Sequence, residues 1–448
     1  MNDFDTYIIS WLKTLSADIS YSAHVKPPCE KRPYDAGPLS PPPSHHNAGW
    51  MHPSTPQNKK RRLEGVTSLP APPDTHVDED PNEETPRQEG PHSVSGTDDS
   101  SSHKSNRSSP SKTFSKLSLN PDGLEEKQLD FLDSRIPDSL VQLATDMEEI
   151  GMGDRVVPDY LESELTELQK SSKAHGLFRP RMLDKSPDQP KRYLSHLHHK
   201  LQLDAIMQLL GDAKDCNDME DDEAGWNNLV HTPLLKAAFY GNTQRGRQLD
   251  GFRPCTSASI LPAYRIKGSL GKKVDYVFHF DPEKDSCQPE TVDAINTWRA
   301  ALTDNSINHS PYAPLRRFPI SVSIETKPGG MSTRKAQLQM GVWHAAQWRH
   351  LGKLAGANLQ ALPFIPGILV YGHDWVFVAS TYENGKTTLW TGGTFGSTLR
   401  LLSTFQVIAG VQRLRTWAME VFWPWYKTYV LRVTTPLSAP TLSTRGSF

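Results

Sequence analysis

The residues best suited to chemistry lie on two short apolar runs of the chain. Residues 273–280 (KVDYVFHF) carry Asp275, and residues 321–328 (SVSIETKP) carry Glu325 and Lys327. Both runs are rich in β-branched and aromatic residues, which predicts strands. Because Glu325 and Lys327 are two residues apart, a strand directs both side chains to the same face. Two acids and a lysine on neighbouring strands suit a divalent cation and an activated water, as in metal-dependent phosphodiester hydrolysis.

Hydrophobic periodicity predicts the elements that position these residues. Helices are expected over residues 223–240, 290–302, 334–351 and 397–429, the last broken at Trp423-Pro424, and further strands over residues 258–266, 367–371, 375–381 and 387–390. The helix over 290–302 belongs to an insertion that separates the two charged strands along the chain. Together these elements predict one α/β domain over residues 191–435.

This arrangement resembles the PD-(D/E)XK nuclease superfamily, and the region from about residue 190 to 435 resembles a fungal branch of it. In the resemblance, Asp275 is the acid of the first motif, and Glu325 and Lys327 are the second acid and the lysine. Glu223 matches the glutamate of the family's opening helix. Gln339 begins a Gln-x-x-x-Trp segment similar to the Gln-x-x-x-Tyr motif of RecB-like members. The sequence departs from the pattern before Asp275, where it has valine instead of the proline that names the superfamily.

The resemblance implies a restriction-endonuclease-like fold, a central mixed β-sheet flanked by helices. It implies a nuclease that uses Mg²⁺ or Mn²⁺, with nucleic acid as the partner and DNA favoured over RNA. Asp275, Glu325, the backbone carbonyl of Thr326 and Glu223 would bind the metal. Lys327 would orient or deprotonate the attacking water, and Gln339 would position a ligand or a phosphate.

Other interpretations stay open at this stage, among them a fungal regulatory or scaffold protein that uses the two helical segments between residues 122 and 210. The chain could be a catalytically inactive descendant of the fold that binds nucleic acid or protein. Alternatively, Asp275 and Lys327 could form an ion pair at the sheet edge that serves stability alone, although such pairs stabilise little. The presence of all three core charged residues favours catalysis. Cations that could contact a phosphate backbone are Lys272, Lys273, Arg316, Arg317, Arg334, Lys335, Arg413 and Arg415.

Composition bounds the rest of the 448-residue chain. Only 36% of residues are hydrophobic, 36 are prolines and the mean hydropathy is -0.56, so much of the chain is not core. Residues 1–116 are expected to be a disordered Pro/Ser-rich tail, 117–190 a helical linker region and 436–448 a flexible tail. The four cysteines lie far apart and form no CxxC pair, which argues against a zinc module. A net charge of -2 leaves nucleic-acid binding to a local patch.

The tail contains the basic cluster Lys59-Lys60-Arg61-Arg62. Such a cluster in an exposed Pro/Ser-rich segment indicates a nuclear-import signal or a nucleic-acid patch. The sequence therefore predicts a nuclear protein, with the cytoplasm as the alternative. No apolar run reaches the roughly 18 residues that a bilayer span requires, and no secretory signal is predicted.

Overall fold

The computed structural model describes residues 109–171, 178–185, 200–241, 248–269, 273–302, 304–330 and 333–433. A mixed seven-stranded sheet, in the order β1-β7-β6-β5-β4-β3-β2, lies at its centre. The strands are β1 Leu124–Gln128, β2 Asp250–Pro254, β3 Tyr276–Phe280, β4 Ile320–Lys327, β5 Ile365–Tyr371, β6 Asp374–Glu383 and β7 Lys386–Ser397. β1 pairs with β7 and β4 with β5 in parallel, and the other neighbouring pairs are antiparallel.

Helices flank this sheet, as predicted. They are α1 Pro110–Ser118, α2 Asp138–Gly151, α3 Glu162–Ser171, α4 Leu203–Asp218, α5 Glu223–Trp226, α6 Thr232–Tyr240, α7 Thr291–Ala301, α8 Thr333–Ala355, α9 Leu401–Trp417 and α10 Trp423–Trp425. A π-helical turn, Asn227–His231, joins α5 to α6, and two more, Ala418–Phe422 and Tyr426–Leu431, flank α10. The predicted mixed-sheet α/β fold is thus confirmed. None of the helices in the described ranges is long and apolar enough to cross a membrane.

The two faces of the sheet carry separate apolar layers, and this fixes where the charged residues of β4 point. Ile324 belongs to the layer that includes α9, whereas Trp343 of α8 belongs to the other layer. The Trp343 indole N–H donates to the Ser323 hydroxyl at 3.0 Å, so Ser323 faces α8. Because side chains alternate along a strand, Glu325 and Lys327 share the face of Ser323.

The structured region begins earlier in the chain than predicted. Residues 110–116 were expected in the disordered tail but form most of α1, because Phe114 and Leu117 are buried against the sheet domain. Ser109 caps this helix by accepting the Lys112 N–H at 3.4 Å. The next segment forms β1, an edge strand that the sequence pattern did not reveal. Residues 1–108 and 434–448, which include most of the predicted tail, lie outside the described residues.

Two local predictions differ from the structure. Residues 258–266 form a turn with a 3-10 helix at Pro262–Tyr264 instead of a strand, since a proline cannot donate to a sheet ladder. The strand on this side of the sheet is β2. The closing helix also continues past Pro424 instead of breaking, because the preceding π-helical turn is wider and relieves the clash of the proline ring with that turn.

Candidate active site

The antiparallel pair of β3 and β4 places the predicted acids at one end of the sheet. Asp275 immediately precedes β3, and its backbone N–H donates to the carbonyl of Ile324 in β4 at 2.9 Å. The Asp275 carboxylate oxygen Oδ2 lies 2.7 Å from the backbone nitrogen of Thr326, which donates to it, and 3.0 Å from the Thr326 hydroxyl. Glu325 and Lys327 flank Thr326 in β4. The structure therefore brings Asp275, Glu325 and Lys327 together.

The Lys327 ammonium stands at the centre of the site. Its Nζ lies 2.6 Å from Glu325 Oε1 and 2.9 Å from Glu223 Oε2, and it donates to the Thr326 carbonyl at 2.7 Å. The buried Glu325 Oε1 has the Lys327 ammonium as its partner. Glu325 and Lys327 are 1% and 4% exposed. Three of the four groups predicted to bind a metal thus surround an ammonium.

Burial and crowding set the charge state of these groups. Burial, followed by repulsion from Asp275, raises the pKa of Glu325 well above its ordinary range. Burial and repulsion from Glu223 raise the pKa of Asp275 to about 6, although Lys327 and the Thr326 hydrogen bonds act in the opposite direction. Burial alone would lower the pKa of Lys327, but the surrounding carboxylates raise it above its ordinary value. The lysine therefore keeps its proton, and both buried acids would gain from a further cation.

Glu223 reaches the site from the first turn of α5. The Asp222 side chain caps this helix by accepting the Gly225 N–H at 2.8 Å, so Glu223 is the first residue of the helix. The Glu223 side chain is 39% exposed, in contrast to the buried Lys327 that it contacts. It therefore forms the solvent side of the charged cluster.

Gln339 contacts the segment that leads to Asp275 instead of the carboxylates. Its Nε2 donates to the backbone carbonyl of Lys273 at 3.4 Å, and its Oε1 is buried with no hydrogen-bond partner. Trp343, the aromatic residue of the same motif, is fully buried in the layer beneath α8. Gln339, which was predicted to position a ligand or a phosphate, thus lies beside the site and contacts the segment that leads to Asp275.

Sequence reasoning missed two buried residues: Asn227, which touches the site, and His231, which contacts Asn227. The Asn227 side-chain oxygen lies 3.0 Å from the Thr326 hydroxyl and 3.0 Å from His231 Nδ1. Their signal was present in the sequence, because Asn227 and His231 follow Glu223 at intervals of four residues on a predicted helix.

Some of the candidate phosphate contacts serve the fold instead. Arg415 is fully buried, and its Nε donates to Asp250 Oδ2 at 2.7 Å, so its prediction as a phosphate contact is wrong. Its burial follows from its position on the sheet-facing side of α9. Arg413 pairs with Asp146 at 2.7 Å. Lys335, just past β4, is exposed.

The chemistry of the site fits a divalent cation. Three carboxylates and one ammonium carry a formal charge of about -2 when all are ionised, and their oxygens are the ligands that Mg²⁺ and Mn²⁺ prefer. In the described part of the chain, no group of three or more His, Cys, Asp or Glu side chains is already arranged to hold a metal ion. For the predicted ligands to bind one, the Lys327 ammonium has to leave them.

A family model described as the PD-(D/E)XK nuclease superfamily matches residues 167–423, which is more than half of the chain. The matched segment contains all five predicted site residues, namely Glu223, Asp275, Glu325, Lys327 and Gln339. No curated protein and no solved structure matches the chain significantly.

Proposed function

Because the chain belongs to the PD-(D/E)XK nuclease superfamily, we propose that it is a nuclease that hydrolyses phosphodiester bonds of nucleic acid with Mg²⁺ or Mn²⁺. One observation carries this proposal: Asp275, Glu325 and Lys327 meet where β3 and β4 pair, and Glu223 joins them from α5. Burial raises the pKa values of Asp275 and Glu325 in the metal-free site, so a bound cation would favour the ionised forms of both acids.

The roles of the residues follow from their positions. The carboxylates of Asp275, Glu325 and Glu223 and the backbone carbonyl of Thr326 would hold the cation. When bound, the cation polarises the scissile phosphate and lowers the pKa of a water molecule. The Thr326 N–H holds the Asp275 carboxylate in place through the 2.7 Å hydrogen bond.

Lys327 supplies positive charge to the reacting phosphate. The neighbouring carboxylates raise the pKa of Lys327 in the metal-free site, so it carries a proton there, and we assign it as a donor of charge-assisted hydrogen bonds to the phosphate. A preorganised cation of this kind stabilises the extra negative charge that develops on the phosphate in the transition state. Gln339 donates to the backbone carbonyl of Lys273, two residues before Asp275, and so holds the segment that carries this acid.

Cleavage of nucleic acid tests this function directly. We expect the chelator-treated protein to be inactive and to cleave DNA after addition of Mg²⁺ or Mn²⁺, with RNA cut more slowly. The measurement is gel analysis of labelled single-stranded and double-stranded DNA and RNA, with each metal and with EDTA. If the protein binds these substrates but cleaves none of them with either metal, the chain is a nuclease-fold binding module instead.

The cluster Lys59-Lys60-Arg61-Arg62 lies outside the described residues, and we propose it as a nuclear-import signal. Replacing its four residues with alanine is expected to reduce nuclear accumulation of a fluorescently tagged full-length protein, because importin-type recognition depends on the positive charges. The control is a variant in which each of the two lysines is replaced by arginine and each of the two arginines by lysine, because it keeps the charge. Unchanged localisation of the alanine variant would show that import does not use this cluster.

A further inference from the structure

A buried polar chain leads from the site to the far end of the π-helical turn. The Thr326 hydroxyl lies 3.0 Å from both Asp275 Oδ2 and the side-chain oxygen of Asn227. The same atom of Asn227 lies 3.0 Å from His231 Nδ1, and His231 Nε2 lies 3.3 Å from the carbonyl of Gly372. Each member is buried in a region where an unsatisfied polar group is costly.

The backbone around this chain holds both residues in place. The π-helical turn puts Asn227 and His231 on the side of the helix that faces the sheet, and such turns occur often at functional sites. Tyr276 directly follows Asp275 in the chain, and its hydroxyl donates to the Asn227 backbone carbonyl at 2.9 Å. The Gly372 N–H donates to the Lys327 carbonyl at 2.8 Å, so the far end of the chain is also attached to β4.

The His231 ring is fixed and neutral. It stacks on Trp226 with ring centroids 5.7 Å apart, and Trp375 meets it edge-on at 5.7 Å. Burial lowers its pKa to about 4. A neutral imidazole carries one N–H, so only one of its two nitrogens donates a hydrogen bond.

Counting protons determines the direction of each hydrogen bond. Gly372 offers only a carbonyl, so the one N–H of His231 belongs on Nε2, and Nδ1 needs a donor. Asp275 offers only an acceptor, so the Thr326 hydroxyl proton belongs to Asp275, and the Thr326 oxygen also needs a donor. The Asn227 side-chain oxygen cannot donate to His231 Nδ1 or to the Thr326 oxygen. The Asn227 NH₂ group, placed at the same position, can donate to both. The amide nitrogen donates no hydrogen bond elsewhere in the described ranges, so exchanging the two amide atoms gives none up.

We propose that Asn227 and His231 are positioning residues for the metal-binding carboxylate Asp275: the Asn227 amide donates to His231 and to the Thr326 hydroxyl, which thereby directs its own proton to Asp275. This inference rests on the proposed function, because it assigns Asp275 to the metal. Partners behind metal ligands orient them, and their loss typically weakens metal binding or activity about 10–100-fold.

Mn²⁺ binding to the metal-free full-length protein, measured by titration calorimetry, tests the role of Asn227. Asn227→Ala is expected to bind Mn²⁺ about 10–100-fold more weakly than the wild type. Asn228→Ala changes the same residue type at the next position, which is exposed, and is expected to bind like the wild type. Circular dichroism of each variant confirms that it is folded.

Two substitutions of His231 separate positioning from simple packing. His231→Asn keeps an acceptor where Nδ1 stands, and so keeps the bond to Asn227. His231→Gln keeps a donor where Nε2 stands, and so keeps only the bond to Gly372. We expect Mn²⁺ affinity near the wild-type value for His231→Asn and about tenfold weaker binding for His231→Gln. If His231 had only a structural role, the Mn²⁺ affinities of the two variants would follow their stabilities and not which ring nitrogen each variant replaces.

The tautomer of His231 gives a readout that needs no metal. In ¹⁵N-histidine spectra of the wild type, the signal that disappears in His231→Gln is expected to show a protonated Nε2. A protonated Nδ1 would overturn the donor role of Asn227. If the wild type binds Mn²⁺ and Asn227→Ala binds it equally well, the positioning role is wrong while the nuclease proposal stands. If the wild type binds no Mn²⁺, the proposed metal site fails first and the positioning role falls with it.

Discussion

Lys327→Ala is expected to lose metal-dependent cleavage and yet to bind Mn²⁺ more tightly than the wild type. The Lys327 ammonium lies within 3 Å of Glu325, Glu223 and the Thr326 carbonyl, which are three of the proposed metal ligands. Removing it frees these oxygens and abolishes a like-charge repulsion with the metal. Cleavage should fall by at least about 10²–10³-fold, because one preorganised stabiliser of transition-state charge is lost.

The same variant should depend on metal for its stability. Without the ammonium, the buried Glu325 side chain has lost its nearest cation and would have to stay protonated when no metal is bound. A bound cation restores the compensation and stabilises the folded state by mass action. The rise in melting temperature on adding Mn²⁺ to EDTA-treated protein should therefore be larger for Lys327→Ala than for the wild type.

Calorimetry, melting curves and the cleavage assay check these outcomes together, with Lys284→Ala as the control. Lys284 is an exposed lysine in the turn at Pro282–Lys284, which follows β3, whereas the proposed ligand Asp275 precedes that strand. Weaker Mn²⁺ binding by Lys327→Ala would show that the lysine supports the metal site instead of competing for it. Cleavage at the wild-type rate would remove Lys327 from the mechanism.

The core of the site could be predicted from the sequence because its signal is local. Charged residues on apolar strands are rare, and Glu325 and Lys327 stand two residues apart in a strand whose other members are buried. The helix that follows β4 was visible from its own periodicity. Such features depend on a few neighbouring residues, so a single sequence displays them.

Long-range pairing explains what the sequence did not show. β1 has the polar sequence LEEKQ and becomes a strand only because β7 offers it a parallel edge, more than 250 residues later in the chain. Arg415 looked like a surface cation, yet it is buried because Asp250 of β2 accepts its hydrogen bonds. The local pattern identifies neither β7 as the partner of β1 nor Asp250 as the partner of Arg415, because another strand or another acid could have taken the same place.

The Asn227–His231 contact shows an intermediate case. Spacing of four residues from Glu223 indicated a shared helix face, but a regular helix also directs many residues to a core without any polar role. The π-helical turn shifts the positions after it relative to those before it. Whether Asn227 meets Thr326 therefore depended on a backbone irregularity that propensities do not encode.

Glu325→Gln is expected to leave the fold intact and to remove most Mn²⁺ binding and cleavage. The amide has nearly the same shape, and burial already disfavours the ionised form of this side chain, as its raised pKa shows. Lys327 keeps its contacts with Glu223 and the Thr326 carbonyl. The cation, by contrast, loses one full charge. Two unit charges about 4 Å apart at an effective dielectric constant near 20 interact with about 4 kcal/mol, and a divalent cation loses at least that much, so binding should weaken by about 10³-fold or more.

Melting curves in EDTA separate the metal ligand from a purely structural ion pair, with Glu148→Gln on the exposed face of α2 as the control. A melting temperature near the wild-type value together with weak Mn²⁺ binding supports the metal role. Unfolding of Glu325→Gln in EDTA would mean that the carboxylate serves mainly to compensate Lys327. Lys327→Ala and Glu325→Gln must also change Mn²⁺ affinity in opposite directions: binding becomes tighter without the ammonium and weaker without the carboxylate. A structural salt bridge predicts no such opposition, because losing either partner would damage the same pair.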